Sequence, residues 1–538
     1  MDGDLLIRGG TVVDGSGSPG RLADVLVRGD RILAVHDLSE AAGAAGEGLV
    51  AAQVIDARGL VVSPGFVDIH THSDFSLLLD PSGESKVRQG VTTEVIGNCS
   101  YTAYPARPED VPALMATMSG LSADDLEWDW TDLEGYRRRF NASGAALNVA
   151  PLAGHCALRV AAMGYASRPP APAELDTMRR LLAETMEQGA FGFSAGLTLA
   201  PSAYGTTDEI VALCQVAARY GGFYAAHMRV NAAQQLEARH ETLDIARRAG
   251  IAVQMAHNNV MGPPFWHLVP ELLELLDRER AAGVDVTYDV YPYLAGMSII
   301  DQLMPAWAQE GGVEALVARL RDRATRRRVY DELKPGRAGG LLPWDWESIR
   351  VTDVQPAADK AFEGKTVAQV AALLGVDGLE ALLTLVERDR ASATYHHMSE
   401  ANTRLLLAHP LGMVGSDGNA VTAGTRSLRG KPHPRFFGTF PRVLGRYVRE
   451  DGVLSLEAAI RKMTSAPAAR LGLSDRGLLA PGKVADITLL DPLTVVDRAT
   501  YDEPSLYAEG IDSVIVAGQV VLRRGEMTGA LPGRALAR

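Results

Sequence analysis

From Pro64 onward the chain alternates short apolar runs with amphipathic stretches of helical period, and this alternation constrains its fold more than any other feature. Eight runs read as buried strands: 66–72, 92–99, 148–155, 190–197, 223–229, 251–258, 284–291 and 412–417. Between them, 173–188 sets Leu175, Met178, Leu182 and Met186 on one helical stripe and stops at Gly189. A second helix is expected over about 232–250, ended by glycine, and a third after the N-cap Ser455, with Leu456, Ile460 and Met463 facing inward. Eight strands in series, most separated by helical text, imply an α/β fold of the closed (β/α)8, TIM-barrel type; an open doubly wound sheet is the alternative. The stretch 293–352 is too long for a simple strand-to-helix connection and predicts an inserted subdomain near the mouth of the barrel.

The ends differ in texture. Residues 1–63 and 472–538 are short β-rich runs broken by turn signals, with a hairpin expected where Gly29-Asp30 separates Val25-Leu26-Val27 from Ile32-Leu33-Ala34-Val35. Together they predict one small β-sandwich domain built from both termini around a barrel at 64–471; two unrelated β appendages are the alternative. An apolar fraction of 47% suffices for a large core. The net charge of -13 gives no support to a nucleic-acid or anionic-membrane partner, since both select for basic patches. Three scattered cysteines make no disulfide framework, and no signal segment or membrane-length apolar run is visible, so a soluble cytoplasmic protein is expected.

The polar residues fall where such a fold does chemistry. Barrel active sites form at the C-terminal ends of strands. There this chain places His70 and His72, Cys99, His227, His257 and Asp417, each after an apolar run. His70 and His72, two apart, can face the same way. Imidazole, thiolate and carboxylate are the donors Zn²⁺ prefers, and zinc both activates water and polarises a carbonyl. Asp417 could then accept the water's proton and pass it to a leaving nitrogen. Cys99 could instead be an inert buried thiol, although Gly97-Asn98-Cys99-Ser100 reads as a strand end entering a loop.

The run Gly65-Phe66-Val67-Asp68-Ile69-His70-Thr71-His72 resembles the metal signature of the amidohydrolase superfamily. Within it the chain is similar to the D-aminoacylase (N-acyl-D-amino-acid deacylase) group, through Gly97-Asn98-Cys99, Gly154-His155 with Arg159, Phe193-Ser194-Ala195-Gly196-Leu197, His227-Met228-Arg229, Tyr291-Pro292-Tyr293, Gly415-Ser416-Asp417-Gly418 and Pro432-His433-Pro434-Arg435. The resemblance spans nearly the whole chain. It implies a zinc-dependent hydrolase of an N-acyl amino acid of D configuration, with a tight zinc site from Cys99, His227 and His257. His70, His72 and Asp417 would line a weaker second position, and Asp417 would be the catalytic acid/base. Arg435 would grip the substrate's carboxylate with Tyr291 assisting; outside the resemblance, Arg435 reads as a solvated loop residue.

Departures from the group's pattern fall at Leu199 (usually tyrosine), Met297 (usually serine, with Ser298 adjacent as a substitute contact), Asn259 (near which the group often has lysine) and Val230-Asn231-Ala232-Ala233 (in place of an acidic, glycine-containing stretch). These positions are expected to touch substrate, not metal, and the loss of polar groups at Leu199 and Met297 points to a more apolar or differently shaped acyl amide. His155 could enter the site or be structural, and Arg229 could face inward or sit in a salt bridge. Asp74 reads as a loop or capping residue, and Trp266, Trp307, Trp344 and Trp346 as core or insertion packing. The competing functions are hydrolysis of another C–N bond, such as a cyclic amide, and a non-catalytic binding protein on the same fold.

Overall fold

Eight parallel strands occupy the centre of the molecule, one overlapping each predicted apolar run, in a computed structural model that describes residues 1–38, 49–118, 126–229, 234–334, 345–389 and 391–538. In order they are Phe66–Asp68, Val91–Ile96, Asn148–Pro151 continued by Ala153–Gly154, Gly192–Gly196, Phe223–His227, Ala252–Met255, Val286–Val290 and Gly412–Val414. The first pairs with the second and the second with the third. The third continues through the fourth to the eighth, always between chain neighbours. Beyond the strand ends, Thr71 bridges in parallel to Gly418, and Asp417 N donates to His70 O at 2.8 Å.

Strand residues alternate between two environments, as the period of two requires. Phe193, Ala195, Tyr224 and Ala226 pack with the helices. Phe223 and Ala225 pack instead with Val67, Val95, Leu152 and Met413 from other strands. His227 has the parity of Phe223 and Ala225, so it too turns away from the helices. The predicted helices appear as Pro172–Glu187, Gln235–Ala249 closed by Gly250, and Leu456–Met463 with Ser455 Oγ accepting from Ala458 N at 3.2 Å. The expected start of the second helix, and the departures at 230–233, lie outside the described residues.

The segment after the seventh strand folds around a core of its own, including Ile300, Leu316, Val329, Val351, Val370 and Leu382. Three antiparallel strands brace it: Gly296–Ile299, Ile349–Asp353 and, between them, Ser392–Tyr395. This core and its sheet reach past residue 352, to Ser392–Tyr395. Helix Val367–Leu374, with its Thr366 capping box and Gly375 stop, reads the same from sequence whichever core it joins. Trp307 and Trp346 pack against this core, while Trp344 lies outside the described residues.

Strands from both chain ends form one nine-stranded sheet. The joining pair is Val61–Pro64 antiparallel to Ile487–Leu490. The Gly29-Asp30 hairpin occurs as expected: Arg28 pairs with Arg31, and Gly29 takes the positive φ (58°) that a two-residue loop demands. Among the described residues no single helix is long and apolar enough to cross a membrane.

Candidate metal centre

All six expected donors meet where the parallel strands end. Donor atoms of His70, Cys99 and His257 lie within 4.8 Å of one another, as do those of His70, His72 and Asp417. Cys99 Sγ is 3.3 Å from His70 Nε2, 3.4 Å from His227 Nδ1 and 3.7 Å from His257 Nε2. His72 Nε2 and His70 Nε2 approach the same Asp417 oxygen, at 3.0 Å and 3.4 Å. Ligand atoms on a tetrahedral zinc sit about 3.3–3.5 Å apart, given bonds of about 2.0 Å to nitrogen and 2.3 Å to sulfur. The donor set fits that ion in chemistry and in spacing.

Three of these residues leave their strands in the left-handed backbone region: Cys99 (φ 53°), His257 (φ 32°) and Asp417 (φ 52°). Each such residue costs about 1–3 kcal/mol and persists only where its surroundings over-determine it. The turns also explain why the regular strands stop short of the predicted ends. Other polar side chains aim the donors. Asp289 Oδ1 accepts from His70 Nδ1 at 3.1 Å and from His257 N at 2.7 Å, and Gln254 Nε2 holds the other oxygen at 3.1 Å. Thr198 Oγ1 meets His227 Nε2 at 2.6 Å, leaving Nδ1 toward Cys99. Such partners fix ring orientation and the nitrogen offered to a metal.

Charge is concentrated here. Burial pushes the Cys99 thiol up, but the adjacent His70 and His227 outweigh it and hold the thiol well below its usual range. Burial likewise opposes ionisation of Asp417, yet Arg435, His70 and a hydrogen bond from His72 keep its carboxyl well below the ordinary carboxylate value. Burial pulls His72 down, but Asp417 and Cys99 prevail and raise it to about 9.

Arg435, only 3% exposed, opens the helix Arg435–Arg442. Its Nη1 lies 2.9 Å from Asp417 Oδ2, a close ion pair without hydrogen-bond alignment, so Nη1 and Nε have no hydrogen-bond acceptor. The guanidinium stacks over Tyr291, 4.8 Å from the ring centre. Two cavities meet at this point. One, about 180 Å³, is lined by Cys99, His227, His257 and Tyr291; the other, about 120 Å³, by Arg435. His72, Asp417, Met297 and Ser298 line both. Leu199 and Asn259 line the first, so all three described departures face cavity space.

The other candidates take structural places. His155 is buried between Ser202 Oγ (2.7 Å) and Glu209 Oε1 (2.9 Å), and Arg159 clamps the same glutamate. Arg229 pairs with Glu241 and donates to Ala203 O and Gly205 O. Asp74 caps no helix; its Oδ2 accepts from Gly97 N, and burial raises it to about 7. Trp266 Nε1 donates to His397 O.

Sequence reasoning missed Asp289, Thr198 and a buried ionic cluster. Lys86 Nζ contacts Asp68 (2.8 Å), Glu94 (2.9 Å) and Ser416 Oγ (2.7 Å), all three charged groups fully buried. Asp68 Oδ1 also accepts from Ser416 N at 2.9 Å, next to Asp417. The available signal was charge inside apolar runs: Glu94 within Thr93-Glu94-Val95, and Asp289 within Tyr288-Asp289-Val290. Removing one member of a buried ion pair costs about 3–5 kcal/mol. Lys86→Met is expected to destabilise by that amount in urea titrations; a loss below about 1 kcal/mol would show that the cluster does not brace the first, second and eighth strands against one another.

Imidazoles, a thiolate and a carboxylate gathered at the ends of parallel strands define a metal-centre protein of α/β class. The chain belongs to the amidohydrolase family, whose model matches residues 53–522. It is 38% identical over 99% of its length to an N-acyl-D-glutamate deacylase of Alcaligenes xylosoxydans xylosoxydans, covering 96% of that protein. It is 37% identical, again over 99%, to a D-aminoacylase of the same organism, covering 98% of it. The crystal structure of an N-acyl-D-glutamate deacylase from Bordetella bronchiseptica, complexed with zinc and a phosphonate mimic of the tetrahedral intermediate, superposes with a TM-score of 0.84 at 34% identity, covering 100% of both chains.

Proposed function

We propose that this protein is a zinc-dependent deacylase that hydrolyses the amide bond of an N-acyl-D-amino acid to a carboxylate and a free amino acid. One observation carries the reading: six metal-type donors converge beside Arg435, a buried cation with unsatisfied N–H groups next to Asp417. The relatives' activities favour a linear amide of D configuration over a cyclic one. Cys99, His227 and His257 would hold a tight zinc ion, and His70, His72 and Asp417 a weaker second position. Bound there, zinc supplies Lewis acidity toward water and the amide carbonyl.

The side chains do the rest. Arg435 receives the α-carboxylate in a bidentate fork, with Tyr291 stacked beneath it. Ser298 offers a hydroxyl to the substrate from the wall shared by both cavities. Asp417, kept ionised, takes a proton from the attacking water and returns it to the leaving nitrogen. Leu199 and Met297 present apolar surface, which supports an apolar substituent on the substrate.

The architecture supporting this chemistry reads as a (β/α)8 barrel over 64–471, closed through Thr71 and Gly418. A β-sandwich from 1–63 and 472–538 flanks it, and the insertion extends from 293 to the strand at Ser392–Tyr395.

A hydrolysis screen over both enantiomers of N-acyl amino acids, with hydantoins and cyclic imides alongside, tests the substrate class. Turnover confined to N-acyl D-amino acids is expected; turnover of cyclic amides alone would overturn the reading. Chelation should abolish activity and added Zn²⁺ restore it, and full activity in metal-free protein would remove the metal from the reaction.

A further inference from the structure

Arg239 is a fully buried cation whose hydrogen-bond acceptors among the described residues are all neutral oxygens. It rises from the first turns of helix Gln235–Ala249. Its Nη1 donates back to Gln235 O (2.8 Å) and Gln235 Oε1 (3.1 Å). Its Nε donates to Asn258 Oδ1 at 3.0 Å and its Nη2 to Asn259 O at 3.1 Å. Arg159, buried to the same degree, has the carboxylate of Glu209 against it. Burying a guanidinium without an anion is costly, and burial draws Arg239 down to about 9 with nothing opposing.

The two residues that Arg239 grips directly follow His257. The turn is tight, with Asn259 N donating to His257 O at 2.6 Å, and it starts from a histidine in the left-handed region. Asp289 secures the turn on the entering side, through His257 N and through Asn258 N donating to Asp289 O at 2.9 Å. The leaving side is held by Arg239, whose rigid planar fork spans both acceptors in a way that a lysine's single ammonium does not.

We infer that Arg239 is a positioning residue for the metal centre: by clamping Asn258 and Asn259 to the helix, it holds His257 in the strained conformation that presents Nε2 to Cys99. The inference rests on the zinc site proposed above.

The test compares apo protein of the wild type, Arg239→Met and Arg239→Lys by zinc titration against a chromogenic chelator. The visible spectra of the Co²⁺-substituted forms are recorded beside it. Loss of an orienting partner costs about 10- to 100-fold in metal affinity. The expected result is a zinc Kd raised by that factor in Arg239→Met, with altered cobalt d–d and thiolate charge-transfer bands, and partial recovery in Arg239→Lys. If Arg239→Met does not fold, Asn258→Ala, which removes only the Nε acceptor, should move Kd and spectrum in the same direction. Wild-type Kd and spectrum in whichever of these variants fold would overturn the positioning role. A wild type that binds no zinc would instead overturn the metal site itself.

Discussion

Replacing Asp417 with asparagine is expected to lower kcat by about 10²- to 10⁴-fold, the usual worth of a positioned general acid–base group. The change keeps the shape of the side chain and removes its ability to take a proton. It also deletes the carboxylate that His70, His72 and Arg435 share, at 3.4, 3.0 and 2.9 Å. The loss should persist when zinc content is matched to the wild type, because Cys99, His227 and His257 remain grouped without it. Single-turnover rates at matched metal occupancy make the measurement. A kcat within twofold of the wild type would show that another group moves the proton.

The second large effect concerns recognition. Truncating one member of a buried charge pair typically costs 2–5 kcal/mol, or roughly 30- to 5000-fold in kcat/KM. Arg435→Met is expected to lose that much on N-acyl amino acids, yet little on the same amides with the carboxylate converted to a primary amide. An equal loss on both series would mean that Arg435 acts on the site's geometry and not on the substrate's charge. A pH effect accompanies it. Burial raises the Asp417 carboxyl, and Arg435 is the strongest influence holding it down. Asp417 must be ionised to accept a proton, so activity is lost as pH falls through its pKa. Removing Arg435 raises that pKa, and the acid limb of the kcat/KM profile should move to higher pH.

The site was legible one residue at a time. His70, His72, Cys99, His227, His257 and Asp417 stand out because polar donors end apolar runs, where burial would penalise them without a purpose. Arg435 did not stand out alone: a basic residue in a Pro-His-Pro-Arg loop looks solvated until the fold buries it against Asp417 and Tyr291. Asp289 carried only the signal of a charge in an apolar run, and the pairings made by Asp289, Thr198 and Arg239 were invisible for a different reason. Asp289 and Thr198 bond donors carried by other strands, and Arg239 bonds the two residues after His257 from a helix; linear spacing holds no record of such pairings.

Local pattern, by itself, determined the eight strand runs, the helices among them, the Gly29-Asp30 hairpin and the six polar side chains that meet at the strand ends. These follow from side-chain period, turn chemistry and the cost of burying polar groups, all short-range properties of a chain. Only the tertiary structure decided that Ser392–Tyr395 pairs with Gly296–Ile299 and Ile349–Asp353 and that Lys86 ties Asp68 to Glu94 and Ser416. It alone decided too that Cys99, His257 and Asp417 sit in strained turns braced from neighbouring elements. The physical reason is that a helix's periodicity says which face is buried but not against what, and that backbone strain is stable only where distant residues over-determine it.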